Sequence, residues 1–81
     1  MPNSGNEYSL PEHVAAAVVA GTNVVKALRE HVGYSIEDLA LTCGLAISEI
    51  SAIEAGEDDD PSRLRRVAVA LRVPEQALLG R

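Results

Sequence analysis

Residues 35–56, Ser-Ile-Glu-Asp-Leu-Ala-Leu-Thr-Cys-Gly-Leu-Ala-Ile-Ser-Glu-Ile-Ser-Ala-Ile-Glu-Ala-Gly, constrain the chain more than any other stretch, because they fit two short helices with a tight turn between them. Ser35 followed three residues later by Asp38 forms a capping pair. Its side chains can satisfy amides that a helix start leaves without partners, so the spacing predicts a helix from about Ile36 to about Thr42, with Leu39 and Ala40 facing inward. Gly44 stops that helix, since glycine enters the left-handed conformation from which a chain can begin a second helix within a few residues, and Leu45 can plug the corner. In the second helix Ile50 and Ile53 share one face, and Gly56 has the residue type of a helix C-cap. The unit is a helix-turn-helix.

A chain of 81 residues is one domain. At this size only about 60 to 65 percent of the unfolded surface is buried, so stability is modest or shared with a partner. The single cysteine, Cys43, has no internal disulfide partner and reads as a small core residue at the turn, with a redox switch as the alternative; the chain reads as intracellular, hence cytoplasmic. Tyr8 and Tyr34 are the only aromatic residues other than histidine, so the core is expected to be aliphatic.

Residues 1–10 are polar, broken by proline and glycine, and read as a disordered tail; the domain is expected to span residues 11–81. The apolar run from Val14 to Ala20 is too short to span a bilayer and lacks the basic lead of a secretory signal. Ser9-x-x-Glu12 with Pro11 resembles a helix start and predicts an extra N-terminal helix over residues 11–20, whose Val14, Val18 and Val19 seek burial against this chain or another. Gly21-Thr22-Asn23 predicts a break with Thr22 as the next cap, although one helix over residues 11–32 fits the pattern too. Val25, Leu28 and Val32 form the buried stripe of the following helix, with Lys26, Arg29 and Glu30 outside. After the acidic loop Glu57-Asp58-Asp59-Asp60, Asp60-Pro61 marks a helix start, and Leu64, Val67, Ala68 and Leu71 its apolar stripe. Val73-Pro74-Glu75 opens a last short helix ending near Leu79. The expectation is an all-α fold of five or six helices.

The chain from Val25 to Leu78 resembles Cro/C1-type (XRE) helix-turn-helix domains. The likeness rests on Val25-x-x-Leu28-Arg29-Glu30, Gly33-Tyr34-Ser35-x-x-Asp38-Leu39-Ala40, Gly44-Leu45, Ile50-x-x-Ile53-Glu54-x-Gly56 and Val67-Ala68-x-Ala70-Leu71. It covers about two thirds of the chain. The resemblance implies a Cro/C1-repressor-like fold that binds DNA with its second motif helix in the major groove. Where family members commonly place basic or amide side chains, this chain has Ile47, Ala52 and Glu57.

Duplex DNA presents one phosphate charge per roughly 1.7 Å of axis, and lysine and arginine supply most of the affinity of a protein that tracks it. Between His31 and Arg63 this chain has neither, but it has eight acids: Glu37, Asp38, Glu49, Glu54, Glu57, Asp58, Asp59 and Asp60. With Ile50 and Ile53 turned inward, Ile47, Ser48, Ser51, Ala52 and Ala55 fall on the outer face, where base readout needs Arg, Gln or Asn. Small residues at these spacings let another helix approach, and Ile47 offers an anchor; the bland alternative is a plain solvated surface. Arg63, Arg65 and Arg66 cluster at one helix start, where the preceding aspartates are the obvious partners. His13 and His31 read as isolated. No catalytic, cofactor-binding or metal-ligating set is apparent.

Two functions are therefore expected. The first is a transcriptional regulator acting mainly by protein-protein binding through Ile47, Ser48, Ser51, Ala52 and Ala55, with weak or no DNA binding. Its partner would be a transcriptional activator, and in this the chain is loosely similar to small antiactivators of bacterial mobile elements. A net charge of −5 suits a basic DNA-binding partner. The alternative is a dimeric DNA-binding repressor, paired through the N-terminal helix, with Lys26, Arg29, Ser48, Ser51, Arg63, Arg65 and Arg66 on the duplex.

Overall fold

The computed structural model describes residues 9–79, so residues 1–8 of the tail expected over residues 1–10 lie outside the described residues. Six helices follow one another: α1 (Glu12–Val19), α2 (Val24–Val32), α3 (Ile36–Cys43), α4 (Ile47–Glu54), α5 (Pro61–Leu71) and α6 (Gln76–Leu79). Among the described residues there is no strand.

The helix-turn-helix forms as its residues dictate. Ser35 Oγ accepts from the Asp38 amide at 3.0 Å, and Asp38 Oδ2 accepts from the Ser35 amide at 3.1 Å, closing the capping box of α3. Gly44 then takes φ +70°, and the Leu45 amide donates to the Ala40 carbonyl at 3.0 Å. Ala46 has no side-chain acceptor to cap α4, but Glu49 Oε1 accepts from the Ala46 amide at 2.8 Å and supplies half of a capping box. α5 starts as expected, with Pro61 in its first turn and the Asp60 carboxylate accepting from the Arg63 amide at 3.1 Å.

The core is aliphatic. Leu39, Ile50, Val14, Val25 and Val67 are almost wholly inaccessible, and no polar residue among those described is fully buried. Removing each such side chain from water contributes about 1.5–3 kcal/mol. All four stripe residues of α5, Leu64, Val67, Ala68 and Leu71, face this core. α3 packs on α4 and α5, α2 packs on α4 and α5, and α1 lies against α2.

The N-terminal third departs from expectation in several places. Residues 11–32 form two helices, as the break at Gly21-Thr22-Asn23 predicts, but Asn23 rather than Thr22 caps the second: its Oδ1 accepts from the Val25 and Lys26 amides at 2.8 and 3.2 Å. The same side chain donates to the Ile53 carbonyl at 3.2 Å, which fastens the break to α4 and explains why an amide holds the position. Pro11 occupies the cap position of α1, without a side-chain cap. Val14 is buried within its own chain and Val18 is half-buried, but Val19 is 87% exposed. At 100° per residue, Val19 lies about 140° from the direction of Val14, off the buried stripe. Val32 is 49% exposed although its phase matches Val25; the core ends before α2 does. Arg29, expected outside, flanks the stripe and is drawn inward by Glu54, leaving its side chain 12% exposed.

Candidate functional site

α4 stands between two neighbours that fix its orientation. Ile50 and Ile53 are 0% and 3% exposed, so the inward direction is settled and the wheel predicted from sequence is correctly phased. The opposite side carries Ser48, Ser51 and Ala55, all exposed, with Ile47 47% exposed and Ala52 half-buried. Nothing on this face can make a paired hydrogen bond to a base edge. Its chemistry is a small, nearly neutral helix surface with one branched apolar side chain near its start.

The acids of α4 point elsewhere and are occupied. Glu49 turns back onto the helix start: its bond from the Ala46 amide, helped by Arg63, holds its carboxyl below the ordinary value of 4.5. Glu54, at the other end, forms a two-pronged ion pair with Arg29, Nε to Oε2 at 2.7 Å and Nη2 to Oε1 at 3.2 Å. Arg29 Nη1 also donates to the Tyr34 carbonyl at 3.0 Å, so one guanidinium ties α2, the turn before α3 and α4 together. The Glu54 carboxylate raises the pKa of Arg29 further, and the group stays charged.

The basic residues expected at the duplex under the repressor reading are largely engaged inside the chain. Arg63 faces three carboxylates, Glu49 at 3.3 Å, Asp58 at 3.4 Å and Asp60 at 3.6 Å. Arg65 Nε meets Glu75 Oε2 at 2.6 Å. Arg66 donates to the Gly44 carbonyl at 3.2 Å, at the end of α3. Among the described residues, Lys26, Arg66 and Arg72 carry no ion pair. Two features had no sequence signal. His13 and His31, which read as isolated, meet across α1 and α2 with Nε2 and Nδ1 2.8 Å apart. A cavity of about 500 Å³ opens between α3 and α5. Cys43 is buried and its Sγ donates to the Leu39 carbonyl at 2.9 Å; burial pushes the thiol's pKa up, so it is protonated at neutral pH, as a core residue should be.

A capped helix, a glycine turn and a second helix braced on a helical core define a helix-turn-helix transcriptional regulator. The family profile described as helix-turn-helix matches residues 25–78, two thirds of the chain, and the protein belongs to that family, of Cro/C1 (XRE) type. The match begins after α1. Neither a curated protein nor a solved structure matches the chain. No helix among the described residues is long and apolar enough to cross a membrane.

Proposed function

We propose that this regulator acts by gripping a protein, a transcriptional activator, through the outer face of α4, and binds DNA weakly or not at all. The observation that carries the reading is the pairing of a neutral α4 surface with internally neutralised arginines. Ile47, Ser48, Ser51, Ala52 and Ala55 present no side chain that makes a paired hydrogen bond to a base, and Arg29, Arg63 and Arg65 already have carboxylate partners. A helix of a partner could lie along the small residues with Ile47 as the buried anchor. The chain's acidity favours a basic partner, as a DNA-binding activator would be, and speeds their encounter.

The repressor reading keeps Lys26 and Arg66 as free cations and requires two copies to assemble a charge track. Dimerisation through α1 has less to offer than the sequence suggests, because Val14 is already buried in its own chain. The discriminating experiment is Ile47→Glu. It is expected to leave thermal stability unchanged and to remove the activator from the set of chains captured from the host; loss of the fold, or capture identical to wild type, contradicts the reading.

A further inference from the structure

The cavity between α3 and α5 has no counterpart in the α4 reading, since none of its lining residues belongs to α4. Its surface is mostly apolar, from Cys43, Val69, Ala70 and Tyr34 beside Thr42, and its rim carries Arg65, Arg66 and Arg72. No carboxylate lines it. In a chain of net charge −5, this is a local reversal of sign.

Arg72 adds an independent observation. Four helix ends in this fold turn through a glycine with positive φ: Gly21 at φ +110°, Gly33 at +86°, Gly44 at +70° and Gly56 at +77°. The end of α5 makes the same kind of turn at φ +61° with Arg72, the only non-glycine residue with positive φ among those described. A residue with a Cβ is strained there where glycine is not. Stability favours glycine at that position, whereas a guanidinium at the groove's rim has a use for binding. Arg65 shows the chemistry that such a rim accepts, since the Glu75 carboxylate already sits on it at 2.6 Å. Arg66 and Arg72 have no carboxylate of their own.

We propose that the α3–α5 groove docks a short acidic segment of a protein partner, its carboxylates held by Arg66 and Arg72 and an apolar side chain seated on Val69 and Ala70. Val69, 72% exposed, extends the apolar surface toward solvent. Peptide fits better than duplex because the groove's surface is mostly apolar, while a phosphate backbone asks for many cations along its length. The proposal is independent of the α4 surface.

The test uses the whole chain, isotope-labelled, titrated with a short synthetic peptide of glutamate and leucine at helical spacing, its lysine-for-glutamate counterpart, and a random DNA duplex. The expected result is saturable shifts of the Tyr34, Val69 and Ala70 amides with the acidic peptide, weakening as salt rises, and none with the basic one. Arg72→Gly is expected to melt higher than wild type yet bind the peptide about tenfold more weakly, a loss of one charge-assisted contact. Arg66→Gln reports the second contact and is expected to weaken binding by a similar factor, while Ile47→Glu leaves it unchanged. Absence of shifts, shifts confined to α4, wild-type affinity in both arginine variants, the same shifts from self-association without peptide, or a stronger response to duplex than to peptide each overturns the proposal.

Discussion

Arg29 on α2 and Arg63 on α5 reach opposite ends of α4, yet they do different physical work. Arg29 meets Glu54 with two hydrogen bonds, the two side chains 12% and 10% exposed, and its third contact is a backbone carbonyl. Arg63 spreads its charge over Glu49, Asp58 and Asp60 at 3.3–3.6 Å, with its own side chain 39% exposed. Water and salt screen the second cluster and hardly touch the first. One arginine is a structural clasp and the other a surface neutraliser, and both are removed from the pool of cations that could face a nucleic acid.

The sharpest way to break the contrast is to unpair the clasp. Glu54→Ala leaves the Arg29 guanidinium desolvated without a counter-charge, and chemical denaturation is expected to show a loss of about 3 kcal/mol. Gly44→Ala comes next: the added Cβ has room, its nearest neighbour being Arg66 Nη1 at 3.8 Å, but φ +70° strains any L side chain, so a loss of about 1 kcal/mol is expected in the same measurement. Arg63→Ala is expected to cost much less than Glu54→Ala, with the difference from wild type shrinking as salt is added. If Arg63→Ala destabilises as much as Glu54→Ala, the distinction between the two clusters fails.

The smallest effect is a titration. Glu49's carboxyl is held below its ordinary 4.5 in the folded chain, so folding has it lose its proton more readily than the unfolded chain does. Its contribution to stability is therefore complete above pH 4.5 and is lost as pH falls through the depressed folded value. A pH series of unfolding curves should show that decline, and Glu49→Gln should lessen it.

Much of this fold was legible because it is locally encoded. Ser35 with Asp38, Gly44, and Asp60 with Pro61 act within a few residues of themselves, and the spacing of Ile50 and Ile53 fixed the phase of α4 without any neighbour. The clasp was not legible: Arg29 and Glu54 stand 25 residues apart, and only the packing of α2 on α4 brings them together. The same holds for His13 with His31 and for the groove between α3 and α5. Val19 belongs to an apolar run that suggests burial, but helical periodicity places it off the stripe and it is exposed. Asn23 displaced Thr22 because the cap there also needs a donor for the Ile53 carbonyl, a requirement set by tertiary contact. Of the candidate site, sequence located the α4 face and its small side chains; how fully the arginines are engaged is a property of the folded chain alone.

The central claim is that the outer face of α4, the helix that would read a duplex, carries no cation to meet a polyanion, and the most direct measurement is the affinity of the purified protein for promoter duplex across a series of salt concentrations. The account predicts no saturable binding at ordinary ionic strength and only a weak, sequence-indifferent association at low salt. Nanomolar, sequence-selective binding whose affinity falls steeply with added salt would contradict it.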